Sequence, residues 1–83
     1  MQEERRAAVI ESMTANLPVL RAKLNISQAA LAEKLDVSRQ QIVAIENGKR
    51  RMTWTTYLAL YYLMNSNPET KPLLAALGIT AED

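Results

Sequence analysis

Residues Ser27 to Gly48 constrain the fold of this chain more than any other stretch. Ser27 is a typical N-cap residue and precedes the run Gln28–Leu35. Ser38 stands where an N-cap is needed before a second run, Arg39–Asn47, and Gly48 ends that run. Helices this short are not stable alone in water, so the two must pack across each other. The pattern predicts a helix-turn-helix.

The second run has an apolar face and a polar face. At about 100° per residue, Ile42 and Ile45 point towards the core. The opposite face and its flanks carry small or hydrogen-bonding side chains: Gln40, Val43, Ala44 and Asn47, with Arg39 and Gln41 beside them. Glutamine can bond adenine and arginine can bond guanine in the major groove. We therefore expect base reading by Arg39, Gln40, Gln41 and Ala44. The alternative is that Arg39, Gln40 and Gln41 are simply solvent-exposed residues at the start of a helix.

A basic loop follows this run. The formal net charge is only +1, but four cations and one carboxylate lie between positions 39 and 51, while acidic residues collect at the two ends. Cations beside a helix in the groove would contact phosphates and position the protein without reading sequence. We assign Lys49, Arg50 and Arg51 to the DNA backbone, together with Ser38 and Asn47. The alternative is a solvated basic loop.

The composition excludes several classes of function. The 83 residues include no Cys and no His, which removes disulfides, thiolate or imidazole metal sites and nucleophile–histidine pairs. We predict neither enzyme activity nor a cofactor. No apolar run approaches the roughly 20 residues of a membrane span, and the first residues carry carboxylates where a signal peptide would not. We expect a cytoplasmic protein with no membrane partner.

The residues before the motif predict two helices. The first runs from Glu3 to about Thr14, with Val9, Ile10 and Met13 as its apolar stripe. Pro18 cannot donate a backbone hydrogen bond, so we expect a break there. Asn16 would cap the second helix, Leu17–Leu24, and Leu17, Leu20 and Leu24 would form its buried edge. The segment 1–15 is either a packing extension or a dimerisation arm.

The residues after the basic loop predict two further helices. Thr53 would cap Trp54–Asn65, which is apolar almost all round and so needs cover on more than one face. The N-terminal helix or a second subunit could supply that cover. Thr70 would cap Lys71–Leu77, and residues 80–83 would form a frayed tail. The candidates for a dimer interface are apolar residues of these two helices: Tyr57, Leu60, Leu73, Leu74 and Leu77.

The stretch from about Asn16 to Leu63 resembles the phage-repressor family (Cro/cI-like, XRE). The matching positions are Leu20-Arg21, Ser27-Gln28, Leu31-Ala32, Leu35, Val37-Ser38, Ile42, Ile45 and Glu46-Asn47-Gly48. The resemblance implies an all-α, lambda-repressor-like fold of about five helices, here with an extra N-terminal helix. We expect one domain over 1–83, with its core at 16–64, the motif at 27–48 and a C-terminal part at 65–83.

The resemblance also implies roles for single residues. In this family, a glutamine at the position of Gln28 touches a phosphate and braces the reading helix. An arginine at the position of Arg21 pairs with a glutamate at the position of Glu46, so both are expected to be structural. Asp36 departs from the family, which usually has glycine in this turn, but aspartate tolerates a left-handed backbone. The family pattern also places Leu58 and Ala59 in the core.

The resemblance predicts a sequence-specific protein that binds double-stranded DNA and regulates transcription. We expect a homodimer that reads a near-palindromic operator through the major groove. An alternative function is that of an antitoxin or adaptor, which would use the same fold to grip a toxin-like protein. The abundant apolar surface expected around Tyr57, Leu60, Leu73 and Leu74 motivates that alternative.

Overall fold

The computed structural model describes residues 3–81, which form only α-helices, turns and loops. There are five helices in this part of the chain: α1 (Glu3–Leu24), α2 (Gln28–Leu35), α3 (Arg39–Glu46), α4 (Trp54–Asn65) and α5 (Lys71–Ala76). The predicted all-α class is therefore confirmed. None of the described helices is both long enough and apolar enough to cross a membrane.

Helix α1 corrects the prediction of two helices separated at Pro18. It runs without interruption from Glu3 to Leu24, with Pro18 in its interior. Asn16 does not cap a new helix; its side-chain amide donates to the carbonyl of Ser12 at 2.8 Å, four residues earlier. The N-terminal extension and the first helix of the predicted core are therefore one element.

The burial pattern explains why the helix crosses Pro18. A proline in a helix interior costs about 3 kcal/mol, because it removes a hydrogen bond and crowds the preceding turn. Pro18 itself is exposed, whereas Met13, Leu17 and Leu20 are fully buried on the other side of the helix. Burying a large aliphatic side chain contributes roughly 1.5–3 kcal/mol, so three of them outweigh the proline.

The turn between α2 and α3 has the predicted geometry. Asp36 adopts the left-handed conformation, with φ 58° and ψ 44°, at the end of α2. The amide of the next residue, Val37, donates to the carbonyl of Ala32 at 3.0 Å and closes the helix end. The hydroxyls of Ser27 and Ser38 accept hydrogen bonds from the amides of Ala30 (3.0 Å) and Gln41 (3.1 Å). Both serines are N-caps, as predicted.

One apolar core joins all five helices. Its buried members are Val9, Ile10, Met13, Leu17 and Leu20 of α1, Leu31 and Ala32 of α2, Ile42 and Ile45 of α3, Tyr57, Leu60 and Met64 of α4, Leu74 of α5, and Met52 and Ile79 between or after the helices. Both predicted apolar stripes of α1 thus reach the same core, and α1 packs against one side of α4.

The expectation that Leu58 and Ala59 lie in the core is wrong, because both are exposed. The buried stripe of α4 consists of Tyr57, Leu60 and Met64, which recur at the spacing of one helix face. Leu58 and Ala59 lie outside that stripe. An almost uniformly apolar helix carries no periodicity that would have selected the correct face from sequence.

The C-terminal part is more firmly held than predicted. Thr70 does not cap α5 with its side chain; it is fully buried, and its hydroxyl donates to the carbonyl of Met64 at 2.6 Å. The hydroxyl of Tyr57 donates to the carbonyl of Thr80. Burial raises the pKa of Tyr57 to about 12, so this donor keeps its proton well into the alkaline range. Thr80 is thus not frayed, and positions 82 and 83 of the predicted tail lie outside the described residues.

Candidate nucleic-acid interface

Helix α3 presents a polar surface to solvent. Ile42 and Ile45 are fully buried and fix the rotation of the helix about its own axis. Arg39 and Gln40 are exposed at its start, while Gln41 and Ala44 are half-buried on the flank. The predicted base-reading residues thus lie on the outer side and flank of one short helix, with Gln40 among the most accessible of them.

The basic loop begins directly where α3 ends. Asn47 is the C-cap residue, and Gly48 has a φ of +76°, a conformation that favours glycine. The amides of Lys49 and Arg50 both donate to the carbonyl of Ala44, at 2.9 and 3.2 Å. The chain is therefore folded back against the last turn of α3, and the three consecutive cations at 49–51 are exposed beside that helix.

A single carboxylate ties α3 to the two preceding helices. Arg21, near the end of α1, donates to Glu46 twice: Nε to Oε2 at 2.7 Å and Nη2 to Oε1 at 3.0 Å. Gln28, the first residue of α2, donates its side-chain amide to Oε1 at 3.0 Å. Arg21 also reaches the carbonyl of Ile26 at 3.3 Å through Nη1. Helices α1, α2 and α3 thus meet at Glu46.

This contact is largely protected from water. The side chains of Arg21 and Glu46 are 19% and 7% exposed, respectively. The hydrogen bond to Glu46 raises the pKa of Arg21 further, although its burial works in the opposite direction. A bidentate arginine–carboxylate pair is among the stronger and more directional ionic contacts in proteins. Because Glu46 is the last residue of α3, this pair can fix the angle of α3 relative to α1 and α2.

A protein-family model described as helix-turn-helix matches residues 20–53, which begin just before Arg21 and include α2, α3 and the basic loop. Residues 20–53 form a phage-repressor-like helix-turn-helix domain. Such domains bind DNA, and the match supports a DNA-binding role in transcription regulation. No curated protein and no solved structure gives a significant match to the chain.

Gln28 occupies a central position in the helix-turn-helix domain. From sequence it was expected at a DNA phosphate and as a brace for the reading helix, and the structure places its amide on the carboxylate of Glu46. The amide nitrogen carries two hydrogens, so one remains for a further acceptor. The direct bond between Gln28 and Glu46 was missed, because eighteen residues separate them and only the packing of α2 on α3 brings them together.

Three of the five candidates for a dimer interface lie instead in the core. Tyr57 and Leu60 are fully buried and Leu74 is 1% exposed, so none of them can contact a second subunit. Leu73 and Leu77 of α5 are partly buried against the core. The large apolar side chains that remain exposed among the described residues are Val19, Leu58 and Tyr62.

Two contacts near the helix-turn-helix domain had no counterpart in the sequence predictions. The guanidinium carbon of Arg6 lies 4.7 Å from the centre of the Trp54 ring. Glu3 and Arg51 form an exposed ion pair, Oε2 to Nη2, at 3.7 Å. Both join the beginning of α1 to the residues around the basic loop. No local pattern indicates them, since they depend on α1 continuing through Pro18.

The burial of Met52, at 2% exposure, was also missed, although a signal for it existed. Met52 immediately precedes Thr53, whose hydroxyl accepts from the amide of Thr56 at 3.1 Å and caps α4. An apolar residue before an N-cap commonly packs against the fourth helical residue, which here is the buried Tyr57. Met52 thus belongs to the core at the far end of the basic loop.

We predict that Glu46→Ala unfolds the helix-turn-helix domain rather than merely weakening its binding to DNA. Removing one partner of a largely buried ion pair costs about 3–5 kcal/mol, a large share of the stability of a small domain. A thermal melt followed by circular dichroism measures the effect. Glu33→Ala, at an exposed carboxylate of α2, is the matched control and should change stability by less than about 0.5 kcal/mol. A normal melt for Glu46→Ala would contradict the prediction.

Proposed function

We propose that this protein is a sequence-specific transcriptional regulator that binds DNA as a homodimer, with α3 in the major groove. The observation that carries the proposal is the position of the exposed basic loop, which is folded back on the last turn of α3. A helix with a polar outer surface and cations at one end can lie in the groove while those cations face the phosphates.

Base reading is assigned to the outer surface of α3. Gln40 is exposed and can bond adenine bidentately, and exposed Arg39 can do the same with guanine. Gln41 and Ala44 are half-buried, so they would contact only bases towards one side of the helix. Each good bidentate contact contributes about 1–3 kcal/mol of discrimination between base pairs.

Backbone contacts are assigned to the residues around this helix. Lys49, Arg50 and Arg51 are exposed in the loop after α3, and Asn47 is exposed at its end. Ser38 caps the start of α3. Gln28 lies where α2 meets α3 and donates a hydrogen bond to Glu46. Contacts from these residues would set the register of α3 on the duplex and make affinity depend on salt. They would not distinguish one base pair from another.

We predict different effects for Gln40→Ala and Arg50→Gln. Gln40→Ala should change which bases are preferred in sites selected from random DNA. Arg50→Gln should weaken binding to all duplexes and lower the slope of log affinity against log salt by about one. Lys71→Gln, at an exposed cation on α5, is the charge-matched control for Arg50→Gln. An equal loss of affinity on every sequence for Gln40→Ala would remove Gln40 from the reading surface.

The proposed homodimer needs an interface outside the core. Leu58 and Tyr62 are one helical turn apart on α4 and are 38% and 75% exposed. Ala59, also exposed, lies between them. An exposed apolar strip of this kind suits contact with a second subunit. Two subunits related by a twofold axis would read half-sites about 34 Å apart.

The same strip motivates the second candidate function, an antitoxin or adaptor that grips another protein. Tyrosine is enriched at protein interfaces, and Tyr62 is the most exposed of the large apolar side chains described. A stable dimer that shifts random DNA at low salt favours the regulator. A protein that is insoluble until it is produced with a neighbouring gene product favours the alternative.

We predict that Tyr62→Glu converts a dimeric protein to a monomer, because it places a charge in the proposed apolar contact. Sedimentation equilibrium measures the association constant of each variant. Val19→Glu introduces the same charge at another exposed apolar residue, on α1, and should leave the dimer intact. A wild-type protein that stays monomeric throughout the micromolar range, or equal weakening by both substitutions, would contradict this interface.

A further inference from the structure

The beginning of α1 runs alongside the basic loop. A cleft of about 470 Å³ separates them, with Ala7, Ile10 and Glu11 on the helix and Arg50 and Arg51 on the loop. These α1 residues lie on adjoining positions of one helix face. None of them falls within residues 20–53, the part of the chain that the helix-turn-helix family accounts for.

Two contacts connect the beginning of α1 with the end of the loop and the first residue of α4. The Arg6 guanidinium lies over the Trp54 ring, with 4.7 Å between its central carbon and the ring centre. Glu3 pairs with Arg51 at 3.7 Å. A second cleft of about 250 Å³ is lined by these four residues and by Ile10, Met52 and Thr53. Ile10 and Met52 belong to one core and are 5% and 2% exposed.

We propose that the segment Glu3–Thr14 of α1 is a brace for the basic loop, and that Arg6 is its main positioning residue. Arg6 acts on Trp54, the first residue of α4, and thereby fixes the end of the loop that follows Arg51. The other end is already fixed by the bonds to the carbonyl of Ala44. The consequence for DNA binding rests on the proposed function.

The relative strength of these contacts points to Arg6 rather than Glu3. The side chains of Glu3 and Arg51 are 80% and 58% exposed, and exposed ion pairs of this kind contribute little. Arg6 is half-buried, and Trp54 is half-buried and also stacks on Tyr57 at 4.7 Å between ring centres. A cation over an aromatic ring is held more strongly where water is partly excluded.

A braced loop would bind phosphates more tightly than a free one. Ordering flexible residues on binding costs free energy, and a segment that is already ordered avoids that cost. Positions 47–53 form no helix and carry three consecutive cations, so they would gain most from such ordering. By this proposal α1 increases DNA affinity without itself touching DNA.

Limited proteolysis tests the brace without DNA. Trypsin can cut after Lys49, Arg50 and Arg51, and the rate of cleavage reports how often the loop opens. We expect Arg6→Gln to raise this rate about fivefold. Arg5→Gln, the same change at the adjacent exposed residue, should leave it unchanged. Arg6→Lys, which keeps a cation near the ring, should be cut more slowly than Arg6→Gln.

The positions of cleavage distinguish a brace from a general stabilising role. Lys23 and Lys34 lie in helices, and trypsin should cut there no faster in Arg6→Gln than in the wild type. Equal loop cleavage in Arg6→Gln and Arg5→Gln, or a parallel rise at the helical sites, would overturn the proposal. If Arg6→Gln does not fold, Glu3→Gln against Glu4→Gln repeats the comparison, with an expected rise of about twofold.

Binding to a random-sequence duplex of about 20 base pairs at low salt then tests the link to DNA. We expect Arg6→Gln to bind about fivefold more weakly than Arg5→Gln, since both lose one charge and only one loses the brace. Equal affinities would overturn the link. If the wild type does not bind the duplex while loop cleavage still differs, the proposed function fails and the brace stands.

Discussion

The contact between Arg21 and Glu46 is the interaction on which the orientation of α3 depends. Twenty-five residues separate the two side chains, yet two hydrogen bonds join them and Gln28 adds a third to the same carboxylate. The burial of Ile42 and Ile45 is non-directional, so it would define the tilt of α3 less narrowly if it acted alone. A directional, largely buried pair has a narrower range of geometries. Ile42 and Ile45 set the rotation of α3 about its own axis, and Glu46 sets its tilt. Together they determine which side chains of α3 face outward.

Local signals in the sequence were enough to predict the helix-turn-helix. The caps at Ser27 and Ser38 and the left-handed turn at Asp36 depend on residues within four positions, and the structure has all three. The prediction of a helix break at Pro18 was wrong. It considered the local cost of a proline in a helix, but not the stabilisation from apolar residues buried along the whole of α1. The bounds of α4 were predicted correctly, but Leu58 and Ala59 were wrongly assigned to its buried face. Its sequence is apolar almost throughout, so no periodic pattern distinguishes the buried face. The contacts of Arg6 with Trp54 and of Gln28 with Glu46 arise only from packing, so no spacing indicated them.

The continuity of α1 joins two parts of the molecule that the sequence analysis separated. The end of the helix contributes Arg21 to the contact with α3, and its beginning lies against the loop and the start of α4. One rigid element therefore contacts both sides of the proposed DNA surface. The weak net charge of +1 is compatible with this role, because the cations that matter are concentrated at 49–51 and held in position. Under the proposed function, placement of charge rather than its total amount determines affinity.

Helix α3 and the basic loop together form the proposed DNA-contacting surface. Changes in backbone amide chemical shifts, recorded while a duplex selected from random DNA is added to the labelled protein, test it most directly. We expect the largest changes at positions 39–44 and 49–51, with little change on the exposed side of α4 beyond that caused by dimerisation. Changes concentrated around Leu58 and Tyr62, with α3 unaffected, would contradict it.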